Sequence, residues 1–288
     1  MRTTFFKSLL ASLLAAGTLV SAVAGCTPVP DQGEAAVPQQ AATPSPTARP
    51  ETQLLTELDR YNAETSIDFS VALYEHDTGQ AWTYNPSGRY LEASLVKVPI
   101  LLTLLRQATE EGRELSAGER ALAEEMIRRS DNTATDQLYA LVGGAPELQA
   151  TYDRLGISET VATEIWGTNE TTAEDQLRIA TAVARGVDWI DPQLHEYAVT
   201  LLESVVPEQS WGISAGTLSS VAEVGLKNGW LQDDLLSWNV GSSGFVLGDG
   251  AEYSLVVLTA GTETLEDGIA VLEGAASIVN RWELRDSA

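Results

Sequence analysis

The chain contains few lysines, and those that follow its first 26 residues lie in short motifs beside serine, asparagine or glycine. From Cys26 onward there are two lysines, Lys97 and Lys227, against thirteen arginines. A lysine can lose its proton when its surroundings lower its pKa, whereas an arginine effectively cannot. We therefore predict that these two lysines are kept for chemistry that arginine cannot perform. The alternative is that both are ordinary surface residues.

Ser94 and Lys97 lie three positions apart at the start of an apolar run, Leu95 to Leu105, that is typical of a helix. At this spacing two side chains share one face of a helix, so the hydroxyl and the amine can meet. Burial would lower the pKa of Lys97 and allow it to accept the proton of Ser94. Pro99 predicts a tightened or kinked start to this helix. The S-x-x-K pattern alone is weak, because it occurs often by chance.

Two further motifs carry polar groups at turn-like positions. Ser130-Asp131-Asn132 follows a helical stretch, and such a tripeptide also suits a helix cap or a turn. Lys227-Asn228-Gly229-Trp230 is predicted to end an apolar strand, with the glycine allowing close approach to a ligand. The alternative for this motif is a hairpin turn at Asn-Gly.

The order of the three motifs is more specific than any one of them. S-x-x-K, then S-D-N, then a third motif close to K-[TS]-G resembles the set found in class A β-lactamases and penicillin-binding proteins. The resemblance extends over about Glu51 to Leu284. Only 36 residues separate Ser94 from Ser130, fewer than in typical class A enzymes.

The resemblance implies roles for the three catalytic candidates. Ser94 would attack a carbonyl carbon, and Lys97 would act as its general base. Ser130 would pass a proton to the leaving nitrogen. The chain is thus expected to be a serine hydrolase that forms an acyl-enzyme at Ser94.

The same resemblance implies four substrate-binding residues. Asn132 would hold the substrate amide, and Lys227 would attract the substrate carboxylate. Backbone N–H groups of Ser94 and Trp230 would form an oxyanion hole. Asn228 stands where the family has threonine or serine, so the hydroxyl contact to the carboxylate is replaced by an amide.

The second departure concerns deacylation. Class A β-lactamases carry a glutamate in an E-x-x-x-N loop that activates the deacylating water, and no such motif is evident between Leu155 and Thr172. Glu159, Glu164 and Glu170 are the carboxylates available there. The expected substrates are β-lactams or related amides and esters. The alternative is a non-hydrolytic penicillin-binding or sensor lipoprotein, or a D-Ala-D-Ala carboxypeptidase without the deacylation glutamate.

The beginning of the chain has the pattern of a targeting segment. Arg2 and Lys7 precede an apolar stretch, and Val23-Ala24-Gly25-Cys26 resembles the lipobox of bacterial lipoproteins. We predict a signal peptide over 1–26 and lipidation at Cys26, which would anchor the chain at the extracellular face of the membrane. The alternative is an ordinary secretory signal with an incidental cysteine. Residues 27–50, rich in Pro, Ala and Thr, are predicted to be a flexible linker before a domain over 51–288.

The hydrophobic pattern of that domain predicts an α+β fold. Helical patterns occur at both ends and over the middle third, while strand patterns occur near both ends. The predicted helices are Glu51–Glu64, several within Ser94–Gly144, Thr172–Arg185, Pro192–Val205 and Thr262–Leu284; the predicted strands are Ile67–Leu73, Ala81–Tyr84, Ser220–Lys227, Ser237–Leu247 and Glu252–Ala260. We expect an antiparallel five-stranded sheet flanked by terminal helices, plus an all-helical lobe.

Composition excludes several other functions. Removing Arg2 and Lys7 from 17 basic residues leaves 15 against 41 acidic residues, a formal charge of −26, which argues against nucleic acid as a partner.

Another catalytic class is disfavoured by its motif. Gly212-Ile213-Ser214-Ala215-Gly216 matches the G-x-S-x-G pattern of α/β-hydrolases, but no apolar strand precedes it and no histidine follows it. His76 and His195 lack partners at useful spacing. We therefore expect a monomer that acts on a small-molecule substrate, a β-lactam or peptidoglycan-like peptide, with no metal and no cofactor.

Overall fold

The computed structural model describes residues 51–217, 222–248 and 251–284. The predicted signal peptide, Cys26 and the linker lie outside the described residues, as do the first two positions of the predicted strand at Ser220. Within the part that the structure describes, no helix has the length and apolar character needed to cross a membrane.

The described part of the chain begins and ends with a helix, most of its strands lie near the two ends, and six helices lie between them. The helices are α1 (Glu51–Thr65), α2 (Lys97–Glu110), α3 (Ala117–Arg128), α4 (Asn132–Val142), α5 (Gly144–Leu155), α6 (Ala173–Arg185), α7 (Pro192–Glu203) and α8 (Leu265–Glu283). The strands are β1 (Phe69–Glu75), β2 (Ala81–Tyr84), β3 (Tyr90–Leu91), β4 (Glu170–Thr171), β5 (Ala222–Gln232), β6 (Trp238–Gly248) and β7 (Ala251–Thr262). Two short 3-10 helices cover Ala93–Val96 and Pro207–Gln209.

A five-stranded antiparallel sheet has the order β2-β1-β7-β6-β5. The central strand β7 is buried on both faces: Leu255 and Val257 pack with α1 and α8, while Val256 and Leu258 pack with α6. This alternation follows from the two-residue period of a strand. The predicted fold class, a sheet with terminal helices, is therefore confirmed.

The helical lobe is built around α2, which is apolar on nearly all sides. Leu101 and Leu105 of α2 belong to one core cluster with side chains from α3, α4, α5 and α7. A helix that is hydrophobic all round belongs in an interior. The first residue of α2, Lys97, is therefore carried into the core by its own helix.

Most predicted boundaries hold within a few residues, and the start of α2 shows the tightening expected from Pro99. A 3-10 turn over Ala93–Val96 leads into α2, and Pro99 lies in the first helical turn, where its missing N–H leaves no bond unmade. Helix α5 and the small β3–β4 pair were not predicted.

The prediction that the Lys227–Trp230 motif ends its strand is wrong, and so is the alternative of a turn at Asn-Gly. The whole motif lies inside β5, and the hairpin turn comes after Gln232. The glycine is retained there because the strand packs closely against the start of the Ser94 helix, as described below.

Candidate active site

Ser94 lies in the 3-10 turn just before α2, with its side chain partly exposed. The residue before it, Ala93, has a φ of +49°, so the chain turns sharply immediately before Ser94. Lys97 Nζ donates to Ser94 Oγ at 2.9 Å. The predicted contact between hydroxyl and amine at i and i+3 is present. The hydroxyl also lies at a helix start, where the positive end of the dipole favours developing negative charge.

The ammonium group of Lys97 is fully enclosed by hydrogen-bond acceptors. Besides Ser94, it contacts the carbonyl oxygen of Ser130 at 2.7 Å, Ser130 Oγ at 3.1 Å and Asn132 Oδ1 at 2.8 Å. The side chain is 0% exposed. Burial lowers the pKa of Lys97 to about 8, while the carboxylates of Asp131 and Asp136 act in the opposite direction. A neutral Lys97 is therefore accessible near physiological pH.

The Ser130–Asn132 motif caps a helix and points into the site at the same time. Asp131 is the N-cap of α4, and its carboxylate accepts from the N–H of Ala134 at 2.6 Å. Ser130 has a φ of +58°, a conformation that non-glycine residues adopt rarely and that functional sites often contain. Asn132 is exposed on its outer side while its Oδ1 accepts from Lys97. The motif therefore caps α4 and also places Ser130 and Asn132 against Lys97, so the structural and the functional interpretations are compatible.

Ser130 Oγ lies between the two lysines. Lys227 Nζ donates to it at 3.0 Å, and Lys97 Nζ lies 3.1 Å from the same oxygen. Lys227 is 1% exposed, and burial, followed by the nearby charge of Lys97, lowers its pKa well below its usual value. The hydroxyl thus connects two amines whose pKa values are both lowered by burial.

Gly229 lets β5 approach the nucleophile. A Cβ at this position would lie 3.0 Å from the amide nitrogens of both Ser94 and Leu95. Trp230 follows it along the strand, and its ring packs against Trp211 with centroids 5.9 Å apart. The two backbone segments predicted to supply the oxyanion hole are therefore in contact.

A comparison with protein families matches the β-lactamase enzyme family over residues 52–282. That match spans nearly all of the described chain and includes every motif around Ser94. This chain belongs to the β-lactamase enzyme family.

Solved structures support the same fold. PBP-A has 22% sequence identity and a TM-score of 0.70, covering 82% of this chain and 98% of that chain. A β-lactamase from Chitinophaga pinensis DSM 2588 has 18% identity and a TM-score of 0.70, covering 80% and 99%. A Leu-to-Glu variant of PBP-A, solved as an acyl-enzyme complex with penicillin G, has 22% identity and a TM-score of 0.69, covering 83% and 98%. The comparison with curated proteins gives no match.

Within this β-lactamase family member, residues 158–171 form a loop beside Ser94, named here the Ile165 loop. Ile165 stands four residues before Asn169, the spacing at which class A enzymes carry glutamate and asparagine. Ile165 is 70% exposed. The E-x-x-x-N pattern is not evident here because isoleucine occupies its first position, although the asparagine is present at the expected spacing.

The Ile165 loop is attached closely to the segment that bears the nucleophile. The N–H of Ala93 donates to the carbonyl of Gly167 at 2.9 Å, and a Cβ at Gly167 would lie 3.2 Å from the carbonyl oxygen of Ala93. Trp166 donates to Asp136 at 2.7 Å, and Lys97 Nζ lies 5.1 Å from the centroid of its ring. Trp166 therefore covers Lys97, a contact that no sequence motif indicated.

Glu92, two residues before Ser94, is a buried carboxylate that sequence reasoning also missed. It accepts hydrogen bonds from Tyr152 at 2.8 Å, Asn169 at 2.7 Å and Gln176 at 3.0 Å. Burial raises the pKa of Glu92 to about 7, against the opposing hydrogen bonds from Asn169, Tyr152 and Gln176. Glu92 thus links the nucleophile segment to the Ile165 loop, α5 and α6.

The three carboxylates proposed from sequence as water activators are all exposed. Glu159 pairs with Arg89 at 2.6 Å, and Glu170 lies in β4 opposite Leu91. Glu164 lies next to Ile165 on the exposed side of the loop. The ion pair occupies the Glu159 carboxylate, whereas the pairing of Glu170 with Leu91 involves its backbone.

Asn228 holds a loop in place. Its amide nitrogen donates to the carbonyl oxygens of Gln209 and Trp211 at 2.8 and 2.9 Å, and the residue is 1% exposed. Contact with a substrate stays a prediction for Asn228. The observed bonds make it the residue that fixes the 207–211 segment against β5.

The residues set aside on sequence grounds have partners elsewhere. Ser214 donates to the carbonyl of Ser210 at 2.6 Å within a turn, so the G-x-S-x-G match is not a strand-to-helix elbow. His76 Nε2 bonds Ser254 Oγ at 2.9 Å, and His195 Nε2 bonds the carbonyl of Val183 at 2.6 Å. These contacts give both histidines packing roles.

Proposed function

We propose that this protein is a serine hydrolase that forms an acyl-enzyme at Ser94 with β-lactams or related amides and esters. The observation that carries the proposal is the arrangement of two hydroxyls and two buried lysines: Lys97 bonds Ser94 Oγ and Ser130 Oγ, and Lys227 bonds Ser130 Oγ from the other side. This arrangement supplies a continuous path for one proton from the nucleophile to a leaving group.

The proposed acylation forms an ester at Ser94 and moves one proton from Ser94 to the leaving nitrogen. Neutral Lys97 accepts the Ser94 proton as Oγ forms a bond to the carbonyl carbon. The carbon–nitrogen bond then breaks, and Ser130 donates its proton to the nitrogen. Lys97 returns the first proton to Ser130, so Lys97 and Ser130 end in their starting protonation states while Ser94 carries the acyl group.

The substrate would be held by groups that already face the site. Asn132 offers its amide nitrogen, because its oxygen is taken by Lys97. Lys227 attracts a carboxylate, and the N–H groups of Ser94 and Trp230 stabilise the oxyanion, as the close approach at Gly229 supports.

Deacylation is the step for which the site is poorly equipped. At the position of the family glutamate stands Ile165, whose side chain cannot accept a proton from water. We therefore expect deacylation by this hydrolase to be slower than acylation, so that the acyl-enzyme is long-lived.

The test is intact mass spectrometry during timed incubation with benzylpenicillin, with Ser94→Ala as control. We expect an adduct on the wild-type chain that persists after removal of free drug, and none on Ser94→Ala. A transient adduct with consumption of the drug would make the protein an efficient β-lactamase. Absence of any adduct would contradict the proposed chemistry.

We also propose that the chain is lipid-anchored through Cys26 at the extracellular face of the membrane. The support is the sequence Val23-Ala24-Gly25-Cys26 and the linker composition that follows it. Metabolic labelling with palmitate should mark the wild-type chain and not Cys26→Ala. Equal labelling of the two would contradict the anchor.

A further inference from the structure

A second cavity lies beside α6, where this helix meets the β1–β2 edge of the sheet, and none of its lining residues belongs to the site around Ser94. The cavity has a volume of about 620 Å³ and is bounded by α6, the end of α5 and the strands β1 and β2. We name it the α6 cavity. Its volume is within the range of cavities that bind small molecules, about 300–1,000 Å³.

One face of α6 lines the cavity along its length. Positions 174, 177, 178, 181, 182 and 185 line it, and they recur at helical spacing. The opposite face of the same helix is buried in the core. The cavity is therefore a feature of how this helix sits against β1 and β2.

Three arginines, Arg154, Arg178 and Arg185, line this cavity. The chain as a whole has fourteen arginines and a formal charge of −24. Three guanidinium groups around one cavity are therefore a local concentration of positive charge in an acidic protein. A planar guanidinium binds carboxylate, sulfonate and phosphate oxygens in pairs. Glu174 is the one carboxylate in this lining, so the three guanidinium groups leave an excess of positive charge that favours an anion.

Arg185 is the arginine best placed to bind that anion. It donates to the carbonyl of His76 at 2.7 Å and lies over the ring of Tyr74 at 5.7 Å, and no carboxylate among the described residues forms a salt bridge with it. Arg178 pairs with Glu174 at 3.0 Å, and Arg154 with Glu110 at 2.7 Å, in exposed pairs. Exposed pairs of this kind are weak and exchange partners readily.

The rest of the lining suits a flat apolar group. Tyr74 contributes aromatic surface, and Leu177 and Ala182 contribute aliphatic surface. Thr181 also lines the cavity, and its hydroxyl oxygen has no hydrogen-bond partner. A buried hydroxyl without a partner is uncommon in folded proteins, and a change of rotamer would offer it to a ligand.

We propose that the α6 cavity binds a small organic anion, one with a flat apolar body and a carboxylate, sulfonate or phosphate group. The anionic group contacts Arg185 and Arg178, and the apolar body lies between Tyr74 and Leu177.

The test uses 2-naphthoate as probe, with neutral 2-naphthamide and inorganic phosphate as matched comparisons, in calorimetric titrations of the full chain. We expect 2-naphthoate to bind at least tenfold more tightly than either comparison. Arg185→Gln and Arg178→Gln should each weaken 2-naphthoate binding at least tenfold. Arg120→Gln should leave it unchanged; Arg120 also lies over a tyrosine ring, that of Tyr197, at 5.0 Å, but outside this cavity.

Three outcomes would overturn the proposal. Equal binding of naphthoate and naphthamide would make the cavity an apolar crevice with no preference for charge. Equal effects of Arg185→Gln and Arg120→Gln would indicate nonspecific attraction. Binding that is lost in Lys227→Gln and kept in Arg185→Gln would assign the probe to the catalytic cleft instead.

Discussion

Lys97 experiences two opposing influences on its charge. Burial removes water from its ammonium group, whereas four acceptor atoms and two nearby carboxylates favour the charged form. Burial is the larger effect, and it brings the pKa of Lys97 to about 8. A base with a pKa near the working pH is the most effective proton acceptor.

This balance predicts the pH dependence of acylation. In the proposed mechanism the neutral form of Lys97 is the active one. The second-order rate constant for acylation by benzylpenicillin should therefore rise as pH increases from 6 to 9, with an inflection near 8. Lys97→Ala should lower that rate constant by roughly 10²–10⁴-fold, the usual contribution of a general base.

The matching control is the melting temperature of Lys97→Ala, which should stay close to that of the wild type because a buried charge-bearing group is removed. A pH profile that is flat from 6 to 9, or wild-type acylation by a folded Lys97→Ala, would exclude Lys97 as the base.

Glu92 makes stability depend on pH in a defined direction. Its pKa is about 7 in the folded chain against an ordinary value of 4.5 for glutamate, and burial is the main cause. Between these values the folded chain holds a proton that the unfolded chain has released. The free energy of unfolding should therefore fall as pH rises from about 5 to 7, by on the order of 3 kcal/mol from this group.

Glu92→Gln separates this contribution from the effect of net charge, since glutamine does not titrate. We expect urea denaturation of wild type to show a steeper fall in stability between pH 5 and 8 than denaturation of Glu92→Gln. Parallel curves for the two proteins would mean that Glu92 does not hold its proton in this range.

At the scale of elements, the site depends on how the Ile165 loop is fixed against the turn before α2. The loop is held by the Ala93–Gly167 backbone bond and by the Asn169–Glu92 bond. Asp175 of α6 fixes the beginning of the loop through the N–H groups of Glu159 and Thr160, at 3.0 and 2.7 Å. These bonds fix the loop backbone, and none of them involves the side chain of Ile165. A substitution at Ile165 should therefore leave the loop in place.

A glutamate at position 165 should therefore supply the missing water activator. Ile165→Glu is expected to shorten the lifetime of the benzylpenicillin adduct at least tenfold, measured by intact mass after removal of free drug. The acylation rate should change little, because Lys97 and Ser130 are untouched.

Ile165→Gln is the matched control, with similar size and no basic group. If it shortens the adduct lifetime as much as Ile165→Glu does, the effect comes from opening the loop to water. An unchanged lifetime in Ile165→Glu would mean that the position does not face the acyl bond.

At the scale of the whole molecule, the chain carries 41 acidic against 17 basic residues. Like charges at this density repel one another in the folded state more than in the extended chain. Salt screens such repulsion, since the Debye length falls from about 10 Å at 0.1 M to about 3 Å at 1 M.

We therefore expect the melting temperature to rise by several degrees between about 0.05 and 1 M KCl. Sucrose at matched osmolarity is the control for nonspecific solute effects. A melting temperature that is unchanged or lowered by KCl, with the sucrose effect subtracted, would show that attractive ion pairs outweigh the repulsion.

Features that depend on residues close together in the chain could be predicted from the sequence of this protein. The contact of Ser94 with Lys97 follows from helical geometry over three residues, and the α+β class follows from the periods of the strands and helices. The tightened start at Pro99 and the capping property of Asp131 are also local. Such features depend on neighbouring residues alone, so a single sequence is sufficient to predict them.

The tertiary structure decided everything that joins distant segments. Ser130 Oγ meets Lys227 across 97 positions, and Glu92 collects donors from Tyr152, Asn169 and Gln176, which lie 60 to 84 positions away. Two further features also depend on distant segments. Gly229 lies inside β5 rather than at a turn, and Trp166 covers Lys97. These contacts arise from the packing of the helical lobe against the sheet, and no local period encodes which surfaces meet.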